Sequence, residues 1–199
     1  MAGIWRRLYA NSGGDGVVRE RAVLLILAML IAGLWAGRSV AQEADGSMKE
    51  NADPAYLSVG AGWYDLVDGE DEAADFRLEY RHDEGIWLVK PWAGLELTGD
   101  GGLWAGGGAL IDVDLGKHIV LTGATGVGAY EEGSGKDLGS TLEFRSQAEV
   151  AWRFDDRSRL ALAFSHISNA GIGDDNPGTE IVTLYYHLPI GRLSQALGQ

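Results

Sequence analysis

The chain has no cysteine, so no disulfide staples the fold, and its core and hydrogen bonds must hold it together. Positive charge is scarce. The 16 basic side chains face 29 acidic ones, a formal net of −13. That balance excludes nucleic acid as a partner and a basic patch as the route to an anionic lipid surface. No pair of histidines has the HxxxH spacing of a zinc site and no glycine-rich stretch opens a helix to hold a phosphate, so neither a structural zinc nor a cofactor is expected. No segment after residue 41 carries a convincing helical pattern. The longest apolar run, Ala22–Gly37, is shorter than the ~20 residues a membrane-spanning helix needs.

That run has another reading. Arg19 and Arg21 precede it and Ser39-Val40-Ala41 follows it, the order of a secretory leader with a cut after Ala41. An uncleaved anchor is the alternative. Without residues 1–41 the chain keeps 11 basic and 27 acidic side chains, a formal net of −16. The polar stretch that follows, residues 42–54, reads as a flexible segment. Residues 55–190 form the folded domain, and residues 191–199 a tail.

From Ala55 onward eight segments have strand character: Ala55–Leu66, Asp75–His82, Trp87–Thr98, Leu103–Leu115, His118–Ala129, Leu138–Phe154, Arg159–His166 and Thr179–Leu188. Turn-rich pieces such as TGDGG, YEEGSGKD and NAGIGDDNPG separate them. Pro91 predicts a bulge or kink in the third. Alternation is clearest in TLEFRSQAEVAWRF, which sets Leu142, Phe144, Ala148, Val150 and Trp152 against Glu143, Arg145, Gln147, Glu149 and Arg153. Eight successive strands with short connections predict an antiparallel up-and-down barrel, which has no free edges.

Periodicity does not say which face is inside. A soluble lipocalin-like binder turns its apolar face inward, and a transmembrane barrel turns it outward to lipid. Mixed charges on the polar face suit an ionic lumen. Trp63, Trp87, Trp92, Trp104 and Trp152, with Tyr56 and Tyr185, suit an interfacial aromatic belt. Both favour the transmembrane version. Eight strands leave a lumen that side chains fill, so chemistry belongs at a rim or on the outer wall.

One hairpin carries a candidate for it. In RLALAFSHIS, His166 and Ser168 share the parity of Leu160, Leu162 and Phe164. In TEIVTLYYHL, Glu180 shares the parity of Val182 and Leu184. Three polar side chains thus lie on apolar faces, where they are costly without a purpose. The hairpin's midpoint falls at Gly173, so His166 and Glu180 are expected to face each other across it. Hydroxyl, imidazole and carboxylate are the parts of nucleophilic ester hydrolysis, with Ser168 as nucleophile, His166 as base and Glu180 as orienter. The backbone N–H groups of Asn169, Ala170 and Gly171 and the Asn176 amide are candidate oxyanion donors. Ordinary turn chemistry accounts equally well for the loop's Asn and Asp residues.

HISNAGIGDDNPGTE resembles the signature of the lipid A 3-O-deacylases, PagL-like outer-membrane barrels with a His-x-Ser-Asn on one strand and a catalytic glutamate on the next. The resemblance implies hydrolysis of the ester-linked acyl chain at the 3-position of lipid A in lipopolysaccharide. It implies a metal-free site on the lipid-facing wall, with outer-membrane lipid as the surroundings; a homodimer is left open. Two features depart from the pattern: the chain continues past Pro189 as IGRLSQALGQ, and its net charge is strongly negative for an anionic substrate. A non-catalytic barrel serving adhesion or envelope structure is the rival class. Elsewhere, His82, His118 and His187 read as structural, Asp112 and Asp114 as salt-bridged, and Ser165 as pointing away from His166.

Overall fold

The alternation in TLEFRSQAEVAWRF settles the orientation of the wall. Glu143, Arg145, Gln147, Glu149 and Arg153 are buried, while Leu142, Phe144, Val150 and Trp152 are exposed. The polar face is therefore inside and the apolar face outside. This is the arrangement of a barrel solvated by lipid and the reverse of a soluble lipocalin-like binder.

The structure is a computed structural model that describes residues 53–190. The expected leader, most of the flexible segment and the tail lie outside the described residues. The eight strands are β1 (Tyr56–Tyr64), β2 (Ala73–Arg81), β3 (Val89–Thr98), β4 (Leu103–Leu115), β5 (Ile119–Glu131), β6 (Leu142–Arg153), β7 (Arg159–Ser168) and β8 (Thr179–Pro189). Each pairs antiparallel with its neighbours in order, and β1 pairs with β8 to close the barrel. The wall presents Phe76, Leu78, Leu95, Leu97, Leu162 and Leu184 outward. An apolar belt of this extent belongs to a transmembrane barrel.

The lumen is filled by an ionic network. Arg77 reaches Asp75 at 2.8 Å and Glu96 at 3.0 Å, and also bonds Gln147, Ser165 and Tyr185. Arg81 joins Glu79 to Glu149, and His187 bonds Ser58 and Glu149. Such a network is favourable only when its members are partnered, and removing one partner is expensive.

Two expectations change here. Trp92 and Trp104 are not part of an outer belt. Both are buried in the lumen, their ring centroids 6.0 Å apart, with the Arg145 guanidinium 4.3 and 4.8 Å from the two rings. Gly126 and Gly128 on β5 make room: a Cβ at Gly128 would lie 2.5 Å from the Trp104 ring, and one at Gly126 2.6 Å from Trp92. Tyr56 and Tyr185 are likewise buried. Trp63, Trp87 and Trp152 do face outward. Pro91 makes no bulge, since the β3–β4 register runs unbroken through Pro91↔Ala109. It lies one residue beyond the last β2–β3 pair, Arg81↔Trp92, so the donor it lacks is not missed.

At the end of the barrel where β7 starts, Asp53 contacts Arg153 at 3.0 Å, Arg157 at 3.4 Å and Arg159 at 2.5 Å. This residue of the expected flexible segment is tied to the barrel mouth by three guanidinium groups. Asp112 accepts from Lys90, Thr122 and Arg159, as a salt-bridged residue does.

Candidate active site

At the opposite end, where β7 passes into β8, the register sets His166 directly across from Glu180. The His166 Nδ1 lies 3.0 Å from the Glu180 Oε1. Both face the lipid side and are part-exposed, at 42% and 24% of their side chains. With Nδ1–H donated to the carboxylate, Nε2 carries the lone pair, the state a general base requires.

Ser168 is the last residue of β7, on the same face as His166. No hydrogen bond joins Ser168 to His166 among the described residues, because residues two apart on an extended strand stand roughly 6.5–7 Å apart. The imidazole lies against Gly178. Its Cε1 and Nε2 lie 2.9 and 3.5 Å from where a Cβ on Gly178 would be. One step beyond the Ile167↔Thr179 pair, Gly178 stands opposite Ser168. Gly178 has φ +65, so two independent constraints require glycine here. In the sequence it reads only as the end of an Asn-Pro-Gly turn.

The loop beyond Ser168 begins with a tight turn. Ala170 and Gly171 have φ 54 and 76, and the Ile172 N–H donates to the Asn169 carbonyl at 3.1 Å, the form of a type I′ turn. Asn169 is fully buried and saturated. Its Nδ2 donates to the carbonyls of Leu138 and Asp175 at 2.9 and 2.7 Å, its Oδ1 accepts from the Gly171 N–H, and its own N–H donates to the Asn176 Oδ1 at 3.0 Å. Of the four candidate oxyanion donors, the N–H groups of Asn169 and Gly171 are thus occupied inside the loop. The Ala170 N–H and the Asn176 Nδ2 make no hydrogen bond among the described residues.

A second clamp comes from Asp65, between β1 and β2. It accepts from Lys136 at 2.5 Å, from Thr179 Oγ1 at 3.3 Å and from the N–H groups of Glu70 and Asp71. The Leu66 N–H donates to the Glu180 carbonyl at 3.0 Å. Two loops, β1–β2 and β5–β6, are therefore tied to the strand that carries Glu180. Burial pushes the Asp65 carboxyl up, but the Lys136 hydrogen bond and the backbone donors outweigh it and hold the group below its ordinary range. Burial likewise pushes the Lys136 ammonium down, and its bonds to Asp65 and Asp68 hold it above its ordinary value.

One residue beside the site carries no signal in the sequence. Ser146 on β6 is the register partner of His166 on the side away from Glu180. Ser165 points the other way, buried against Arg77 at 3.0 Å.

Comparison with known proteins identifies the family and the fold. The family model described as lipid A 3-O-deacylase (PagL) matches residues 72–189. The lipid A deacylase PagL of Bordetella bronchiseptica is 39% identical over 51 residues, 26% of this chain and 29% of that protein. The match thus spans less than a third of that relative's length. The crystal structure of the outer-membrane enzyme PagL superposes with a TM-score of 0.52 at 22% identity, over 67% of this chain and 99% of that one. A set of transmembrane β-barrels designed de novo gives 0.50 at 10% identity, over 71% and 100%. At these identities the two structural likenesses speak to the fold alone. The family match covers all strands but β1 and includes the hairpin of His166, Ser168 and Glu180, and the chain belongs to the lipid A 3-O-deacylase (PagL) family.

Proposed function

We propose that this protein is a carboxylic ester hydrolase of the outer membrane that removes the 3-O-linked acyl chain from lipid A, using Ser168, His166 and Glu180. The observation that carries the reading is the hydrogen-bonded His166–Glu180 pair on the lipid-facing wall, one residue pair from the strand end that bears Ser168. A base–carboxylate pair has no structural need to stand there, since the same strands satisfy their other polar side chains inside the lumen.

The steps follow from the groups present. The Ser168 Oγ attacks the ester carbonyl carbon as His166 Nε2 takes its proton. Glu180, at Nδ1, stabilises the imidazolium. The Ala170 N–H and the Asn176 Nδ2 are the donors left for the oxyanion. Collapse breaks the bond to the sugar oxygen, which leaves with the proton from His166. Water, deprotonated by His166, then releases the acyl chain from Ser168 as a free acid. An export leader at residues 1–41 fits this placement.

Mass spectrometry of lipid A incubated with the refolded protein, beside Ser168→Ala, tests it. Loss of one hydroxyacyl chain with the wild type alone is expected. Intact lipid A from both, with the barrel folded, favours the non-catalytic barrel.

A further inference from the structure

Gly123 lies in the middle of β5 on the outward face, and a Cβ placed there meets nothing within 4 Å. Glycine in a strand interior weakens the strand and usually marks a close approach by something else. Gly126 and Gly128 on the same strand make way for Trp92 and Trp104. Gly123 makes way for none of the described residues.

It does form part of a groove of about 700 Å³ on the outer wall, and that groove contains His166. Its upper edge follows one row of register partners, His166↔Ser146↔Thr125↔Ala109, across β7, β6, β5 and β4. The next row, Phe164↔Ala148↔Gly123↔Ile111↔Val89, carries it on to β3. Four strand spacings of ~4.8 Å give a length of roughly 19 Å. The groove also runs through the depth of the wall. His166 lies two residues from the end of β7 at the site, whereas Val89 is the first residue of β3, at the far end. A chain entering at His166 therefore descends into the bilayer as it crosses the strands. Ala148 and Gly123 keep the middle open, with Phe164 and Ile111 as larger side chains on either side.

We infer that Gly123 determines which acyl chains the enzyme accepts, by keeping open the middle of a groove that holds the acyl chain of the ester being cut. This rests on the esterase reading and names a specificity residue for the same site. The occupant is an acyl chain because the groove is apolar, continuous with His166 and set in the lipid-facing wall. A short chain stops before β5, while a long one must pass over Gly123.

The test compares the wild type, Gly123→Ala and Gly123→Leu, refolded in lipid vesicles, on p-nitrophenyl butyrate and p-nitrophenyl laurate. Both variants fold, because the added atoms enter open space. Gly123→Leu is expected to lower kcat/KM for laurate by about tenfold or more while leaving butyrate within about twofold, with Gly123→Ala between. Equal losses on both esters, or no loss on either, overturn the inference. A wild type that cleaves neither ester means the esterase reading has failed, and a diazirine-bearing lauric acid then decides the groove separately. Photolabel concentrated on β4, β5 and β6 in the wild type and lost in Gly123→Leu supports it. Label spread evenly over the eight strands overturns it.

Discussion

His166 and Glu180 face each other across β7 and β8, Nδ1 to Oε1 at 3.0 Å, on the side of the barrel that meets lipid. Glu180 fixes which nitrogen of His166 holds the proton. Glu180→Ala and Glu180→Gln are expected to lower kcat by about 10²–10⁴-fold, the range for orienting carboxylates elsewhere. Both should keep the compact, heat-modifiable migration of the folded barrel. Kinetics and gel mobility on the same preparations check this.

Gly178 holds space for the imidazole. A Cβ there falls 2.9 Å from His166 Cε1 and 3.3 Å from the Ile167 carbonyl oxygen, at φ +65. Gly178→Ala is expected to cost about 1–2 kcal/mol from the left-handed backbone alone. It should also lower activity by displacing the ring. Gly171→Ala, also left-handed but with open space around its Cβ, should cost similar stability with a smaller loss of activity. Thermal unfolding and turnover of the two variants separate these effects.

Arg145 is held by Glu79, by Glu96 at 3.3 Å and by the faces of Trp92 and Trp104. Arg145→Met leaves buried carboxylates short of a partner and is expected to destabilise the barrel by about 3–5 kcal/mol. Lys117→Met removes an exposed partner of Asp155 and should leave the stability essentially unchanged. The temperature at which each barrel loses its compact gel band measures the difference.

The Asp65–Lys136 clamp sets a pH window for the loops around the site. The folded Asp65 is held below its ordinary range, so its contribution is complete above the unfolded carboxylate value of about 3.9 and is lost as pH falls through the lowered folded value. Lys136 is held above its ordinary value, so its contribution is complete below about 10.4 and is lost as pH rises through the raised folded value. Hydrogen exchange of residues 65–72 and 132–141 should be flat across the neutral range and quicken only toward those limits. Asp65→Asn should quicken exchange at neutral pH and abolish the acid step.

The wall was legible from the sequence because lipid and lumen impose a period of two, which β2, β3, β6, β7 and β8 follow from end to end. The register of His166 with Glu180 was legible because a hairpin's midpoint fixes its pairing. The places of Trp92 and Trp104 were not, since an aromatic ring suits a lipid interface and a packed lumen equally well. What decides is the glycine face of β5 and the guanidinium of Arg145, both distant in sequence. Asn169 looked like a donor for the site and is the knot of its loop, because one of its acceptors, Leu138, comes beside it only when β6 pairs with β7. Asp53 looked mobile because its arginine partners lie about a hundred residues away.

The central claim is that Ser168 is a nucleophile driven by His166. Peptide mapping after reaction with a fluorophosphonate probe tests it most directly. The account predicts a single adduct on Ser168, absent in His166→Ala while the barrel remains folded. An adduct on Ser146, the serine facing His166 from β6, or labelling of Ser168 that persists without His166, would contradict it.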